Sequence, residues 1–263
     1  MAQIKIDKSS KLGRGATATI YKAHFDGNVY AAKVYNDINR FNKAKIEAML
    51  SNPPANIFVK FADEIFPQLA WPQRIFRLDK GQTHGYLMPI IDLEESFPLD
   101  YFYDPILFTK LNAPEESALS YKVEIARNLA LIIADLHKHG HFFVDLKPQN
   151  IRVFRHTHVV TLLDCDGFSI ACKTDQRFPA DLISSDYISP EAYKNRTSPK
   201  QLGVEQDLYA LAVILFQILN NGTHPFQGII QDNNIDAATN DEKAALGLYP
   251  HGIQKDNRIL PRP

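Results

Sequence analysis

Short β-prone runs dominate the first ninety residues. Apolar positions cluster at 4–6, 20–25 and 29–35, broken by Gly13, Gly15 and the pair Asp26-Gly27. An Asp-Gly step between two such runs predicts a hairpin. One helix is expected at about 40–50, ended by Asn52-Pro53-Pro54, and strands resume near 57–61, 74–78 and 86–90. After Ile91 the period changes. Val123, Ile125, Ala126, Leu129, Ala130, Ile133 and Leu136 recur at helical spacing, which predicts a helix over 120–139 with Gly140 at its C-cap. Two short β runs follow at 151–154 and 159–163, then a helix at about 205–219 that stops at Asn220-Asn221-Gly222. This pattern predicts an α+β chain with a small β-rich N-terminal part and a larger helical C-terminal part, the boundary lying near 88–93.

With 263 residues, 45% of them hydrophobic, the chain can bury the core of one large domain or of one domain in two lobes. Lys plus Arg number 29 and Asp plus Glu 30, so no overall basic field points to nucleic acid. The basic cluster of Arg152, Arg155, His156 and His158 reads as a solvated strand end. Two cysteines, Cys165 and Cys172, make no disulfide framework and fit a reducing compartment. The N-terminus lacks the apolar stretch of a signal peptide, and the run at 208–219 is too short to span a bilayer. A soluble, cytoplasmic domain is expected.

Candidate chemistry gathers in two places. Leu12-Gly13-Arg14-Gly15 turns between two β runs, where glycines let backbone amides approach a phosphate chain; an ordinary hairpin would look the same. Lys33 follows Ala31-Ala32 on the next strand, and a buried ammonium there needs an anion. Its partner is a phosphate chain or Glu47 in the expected 40–50 helix, unless the lysine reaches out to solvent. The second place is Phe143-Val144-Asp145-Leu146-Lys147-Pro148-Gln149-Asn150, a loop between a helix and a β pair. There Asp145 can accept a hydroxyl proton, Lys147 can neutralise a phosphate, and Asn150 can offer an oxygen to a hard cation. Asp164, at the end of the second β run, supplies a carboxylate for the same cation.

In this order the motifs resemble the eukaryotic-type protein kinases of the serine/threonine class, with variant features similar to some bacterial kinases. Residues 12–23 resemble the glycine-rich loop, Ala31-Ala32-Lys33 the lysine strand, and 145–150 the catalytic loop. Ser189-Pro190-Glu191 is similar to the end of the activation segment, 207–215 to the buried aspartate and helix that anchor the large lobe, and 223–226 to the stretch after it. The resemblance covers about residues 8–228. It implies a two-lobed kinase-like fold, with an N-lobe at about 1–90 and a C-lobe at about 91–263 forming a single domain. It implies ATP with Mg2+, or Mn2+ in its place, and a protein substrate phosphorylated on serine or threonine. Gly13, Gly15 and Ala18 would cover the phosphates, and Lys33 would hold them while pairing with Glu47. Ile20 and Ala31 would roof the adenine, with Met88, Ile90 and Ile91 at gatekeeper and hinge. Asp145 would orient the hydroxyl, Lys147 support the γ-phosphate, and Asn150 and Asp164 hold the metal.

Some positions depart from the family pattern. Ala18 stands for the third glycine, and Phe143-Val144 for the His-Arg that reads a phosphorylated activation loop, so no dependence on a phosphate at Val144 is expected. Asp164-Cys165-Asp166-Gly167 stands for Asp-Phe-Gly, which leaves Asp164 and Asp166 both open as the metal carboxylate. The match fades after Phe226, where shortened or replaced helices are expected. Arg258 is a candidate partner for Glu191, and the proline-rich end at 260–263 could open a linker to a further C-terminal domain or regulatory partner. A pseudokinase scaffold and a small-molecule phosphotransferase on the same fold are the rival readings.

Overall fold

A computed structural model describes residues 4–78, 81, 83–111, 118–253 and 256–261. The N-terminal part is a five-stranded antiparallel sheet in the order β1-β2-β3-β7-β6. Its strands are β1 (Lys5–Arg14), β2 (Ala18–Phe25), β3 (Asn28–Tyr35), β6 (Arg74–Leu78) and β7 (Thr83–Pro89), and α1 (Lys43–Ser51) and the hairpin β4 (Phe58–Phe61)–β5 (Glu64–Pro67) lie between β3 and β6. Asp26 and Gly27 both take positive φ, 51° and 76°, which is the turn a two-residue hairpin requires.

The C-terminal part is mainly helical. It holds β8 (Ser96–Pro98), α2 (Pro105–Phe108), α3 (Ala118–Lys138), the β9 (Ile151–Phe154)–β10 (Val160–Leu162) pair and the small β11 (Ile170–Ala171)–β12 (Arg177–Phe178) hairpin. It continues with α4 (Pro190–Asn195), α5 (Val204–Leu219), β13 (Gly228–Ile230), α6 (Asn240–Ala245) and β14 (Ile259–Pro261). The α+β, two-lobed architecture agrees with the expected one. The 40–50 helix differs at its start: Asp37 caps a separate single turn, Ile38–Arg40, and α1 begins only after Asn42, whose side chain accepts from the Lys45 amide. Beyond Phe226 the chain closes with β13, paired to β14, and the short α6, started by a Thr239–Glu242 capping box. Of the proline-rich end, residues 262 and 263 lie outside the described residues.

Strand alternation sorts the sheet into two faces. Ala23, Ala32, Phe76 and Leu87 form a small cluster on one face. Ala31, Tyr86 and Met88 join the main core on the other, with Trp71, Phe102, Ile125, Leu129, Phe143, Phe168 and Ile214. Lys33 shares the face of Ala31, which turns it towards the C-terminal part. Gly85 is required where β7 crosses β3: a Cβ there would lie 2.0 Å from the Lys33 carbonyl oxygen and 2.7 Å from the Phe76 ring. Because the first of these is backbone of a central strand, Gly85→Ala is expected to destabilise the protein by about 3 kcal/mol, seen as a lowered thermal midpoint.

Several bonds join the two parts beside α1. The Ala70 amide donates to the Leu162 carbonyl at 2.9 Å, and Leu69 bridges Leu162 in parallel. Within the N-terminal part, Trp71 Nε1 donates to the Met49 carbonyl at 3.1 Å and ties α1 to the segment that carries Leu69 and Ala70. His141, fully buried, donates from Nε2 to the Asn52 carbonyl at 2.9 Å, and its Nδ1 accepts from the Ala171 amide at 3.2 Å. Burial pushes the His141 pKa down from 6.5 to about 4. The folded value lies below the unfolded one, so the unfolded chain binds the extra proton first. Stability from this group is therefore complete above about pH 6.5 and is lost as pH falls towards 4. The thermal midpoint is expected to fall over that window, and less steeply in His141→Gln.

Candidate active site

Asp207, on the first turn of α5, is fully buried and organises the loop at 143–150. Its carboxylate accepts from the Phe143 amide at 2.7 Å, the Val144 amide at 2.6 Å and His137 Nε2 at 2.9 Å. Val144 is held at φ 64°, which a β-branched residue adopts only under such constraint. The loop then presents Asp145 and, after a single turn at Pro148–Asn150, Asn150 to a cavity of about 680 Å³. Lys33, Lys45, Asp164 and Asp166 also line that cavity.

Asp145 and Lys147 are paired, Nζ to Oδ2 at 2.7 Å, and Lys147 also donates to Ser184 Oγ at 2.7 Å. The other Asp145 oxygen, Oδ1, is buried and has no hydrogen-bond partner among the described residues. A buried acceptor left open in this way is set to receive a donor from the cavity. Asn150 commits its amide nitrogen to the Asp145 carbonyl at 3.2 Å, which leaves the side-chain oxygen as the outward group. Asp164 lies two residues beyond the end of β10 in the left-handed conformation, φ 58°, and its side chain is 64% exposed.

Lys33 Nζ lies 2.7 Å from Asp164 Oδ1 and 2.5 Å from Asp166 Oδ1. Burial alone would lower the ammonium pKa, but Asp166 and then Asp164 outweigh it and hold Lys33 above its ordinary value. Asp166 is fully engaged: Tyr86 donates to Oδ1 at 2.9 Å and Tyr35 to Oδ2 at 2.5 Å. Burial would raise the Asp166 pKa; Lys33 reverses this and keeps it below the usual carboxylate value.

The expected Lys33–Glu47 pair is not formed. Glu47 sits 2.9 Å from Lys43, one turn back on the outer side of α1, and its side chain is 53% exposed. The reason is helical phase: Lys45, Ile46, Ala48 and Met49 are the buried positions of α1, which leaves 43 and 47 facing out. Glu47 therefore lies outside the site, and the helix turns Lys45 to the cavity instead, its Nζ 3.4 Å from the Pro179 carbonyl. Arg258 likewise does not meet Glu191; it pairs with Asp256 at 2.7 Å, two residues away.

Gly13 pairs with Ile20 near the end of β1, and Gly15 opens the β1–β2 turn, closed by Gly15 N to Ala18 O at 2.9 Å. A Cβ at either position would meet only ordinary contacts at 3.8–4.0 Å, so the hairpin itself does not demand glycine. Ala18 is buried at the start of β2. Ala31 and Met88 face each other across β3 and β7, and Ile20, Ile90 and Ile91 pack with them on the main core.

Two of the residues that sequence reasoning did not single out lie on the sheet. Tyr35 is two residues beyond Lys33 and so on its face, a period-two signal present in the sequence. Tyr86 is brought opposite Lys33 by the β3–β7 register, which no local pattern reveals. Ser184 and Lys45 also belong to the site.

A family model for the protein kinase domain matches residues 95–258. The chain therefore belongs to the protein kinase domain family. It is 26% identical over 231 residues to protein kinase YegI of Escherichia coli K12, an alignment covering 83% of this chain and 32% of that protein. It is also 33% identical over 122 residues to a calcium and calcium/calmodulin-dependent serine/threonine-protein kinase of Lilium longiflorum, covering 46% of this chain and 22% of the relative. Over 226 residues it is 25% identical to inhibitor of nuclear factor kappa-B kinase subunit epsilon of Mus musculus, covering 82% and 29%. The chain thus spans about a third or less of the length of these curated relatives. No helix among the described residues is long and apolar enough to cross a membrane.

Proposed function

We propose that this chain transfers the γ-phosphoryl group of ATP, with magnesium, to a serine or threonine hydroxyl of a protein, acting as a single cytoplasmic kinase domain. The observation that carries this reading is the buried Asp145 Oδ1, which has no partner among the described residues, beside the Lys147–Ser184 contact. The substrate hydroxyl donates to that oxygen as its own oxygen attacks the γ-phosphorus. The bond from that phosphorus to the bridging oxygen breaks, ADP leaves, and the hydroxyl proton passes to Asp145. Lys147 neutralises the γ-phosphoryl oxygens and Lys33 the α- and β-phosphates. Positioning and charge stabilisation provide most of the acceleration in this chemistry.

The residues present fit a magnesium ion. Magnesium takes few protein oxygens and completes its shell with water and phosphate. The Asn150 oxygen and the exposed Asp164 carboxylate would supply the protein share, and the ion would neutralise charge on the phosphates. Among the described residues no group of three His, Cys, Asp or Glu side chains converges on a metal, so this pair needs the nucleotide's own oxygens. Asp164 is favoured over Asp166 as the ligand because Lys33, Tyr35 and Tyr86 already occupy the Asp166 oxygens. Gly13 and Gly15 would cover the phosphates with Ala18 behind them, and Ile20, Ala31, Met88, Ile90 and Ile91 would hold the adenine.

The test compares ATP labelled on the γ- with the α-phosphate, offered with magnesium, a generic protein substrate and an added small alcohol. Label from the γ position alone on serine or threonine, lost in Asp145→Asn, is the expected result. Transfer of α-label would mean nucleotidylation, and label on the alcohol alone would mean a small-molecule kinase. Nucleotide binding without any transfer would make the chain a nucleotide-binding scaffold.

A further inference from the structure

We infer that Asp166, clamped by Tyr35 and Tyr86, is the fixed counter-ion that positions Lys33, in the role the family resemblance assigned to Glu47. As an account of catalysis it rests on the kinase function proposed above; as an account of the ion pair it stands on the geometry.

The two carboxylates on Lys33 are not equivalent. The Asp164 side chain is 64% exposed and that of Asp166 13%. The Asp166 oxygens are served by three donors: the Lys33 ammonium at 2.5 Å, Tyr86 at 2.9 Å and Tyr35 at 2.5 Å. A carboxylate in that setting is locked in place, because removing any donor would leave a buried acceptor short of a partner. Asp164 keeps an accessible oxygen and is the one able to turn to a cation.

The clamp is built on the sheet. Lys33 and Tyr35 are alternate residues of β3, and Tyr86 lies directly opposite Lys33 on β7. The tyrosine rings pack at 6.5 Å, and Tyr35 also packs on Phe41 at 5.3 Å. Helix α1 contributes no anion: Glu47 is held outside by Lys43, and Lys45 is the charged residue α1 turns to the cavity. A cation there repels Lys33 instead of pairing with it. Lys33 is thus set by two strands and the residue after Cys165, and its placement does not require α1 to dock a glutamate. An ammonium has three protons, so with Asp166 and Asp164 each taking one, the third remains for a phosphate oxygen.

The experiment is a double-mutant cycle on Lys33→Ala and Asp166→Asn, with Glu47→Gln beside it, read by thermal melting and by steady-state kcat and KM for ATP. Lys33→Ala leaves Asp166 buried without its cation and is expected to lower the melting temperature by roughly 6 °C or more. Adding Asp166→Asn should restore part of that loss. In the kinetic arm, Asp166→Asn is expected to raise KM for ATP at least about tenfold and lower kcat, and to add little once Lys33 is gone. Glu47→Gln should stay within about twofold of wild type in both constants. Additive melting losses, or a Glu47→Gln variant as impaired as Lys33→Ala, would overturn the inference. A wild type that transfers no phosphate overturns the proposed function alone, and the melting cycle then decides the counter-ion by itself.

Discussion

Asp164→Ala is expected to reduce phosphoryl transfer at least about a thousandfold while leaving the fold intact. The two halves of this expectation come from different features. Under the proposed function, the loss follows because Asp164 is the only carboxylate of the pair with an oxygen open to the cavity, and without it Asn150 alone would have to hold the cation. The preserved fold follows from exposure: the side chain is 64% exposed, and Lys33 retains Asp166 at 2.5 Å when Asp164 is removed. The melting temperature should therefore move by no more than about 2 °C, since the partner removed is the exposed one and Lys33 keeps its buried carboxylate. Single-turnover phosphorylation beside a melting curve checks both halves. Activity surviving the substitution would move the metal site to Asp166 and remove the distinction drawn between the two carboxylates.

Asp207→Ala is expected to destabilise the protein by about 3–5 kcal/mol and to abolish activity with it. The carboxylate is fully buried and is the acceptor for the Phe143 and Val144 amides and for His137. Removing it strands two backbone donors and releases Val144 from φ 64°, a conformation that a valine avoids without external constraint. Asp207→Asn should be nearly as harmful, since its amide nitrogen would face an N–H donor where an oxygen now stands. Chemical unfolding measures the loss. A near-wild-type free energy for Asp207→Ala would show that the loop holds its shape without this residue.

Much of this architecture could be read from the chain because its signals are local. The hairpin at Asp26-Gly27, the helix closed by Gly140 and the strand before Asp164 each depend on neighbouring residues, and they stand where periodicity and turn chemistry put them. The loop from Asp145 to Asn150 was legible for the same reason. The ion-pair geometry at Lys33 was not. It depends on which face of α1 packs inward, with Lys45, Ile46, Ala48 and Met49 buried, and on the β3–β7 register that sets Tyr86 opposite Lys33. Residues two apart on a helix lie about 200° apart around its axis, so with Ile46 and Met49 in the core and Lys45 beside them, Glu47 faces out. The Ser184 contact crosses from the 143–150 loop to a segment far along the chain, where no spacing rule operates.

The bonds that tie Leu69 and Ala70 to Leu162, and Asn52 to His141, act as a spine between the two halves. Like the binding of a book, they hold one edge of the cleft at constant width. Any change of opening would then be a rotation about that edge, taken up where the chain passes between the halves at residues 88–92. The C-terminal end of α1 sits at the spine, where its C-cap Asn52 accepts from His141. In such a rotation its N-terminal end, with Lys45, would travel furthest and carry that charge towards or away from the cavity.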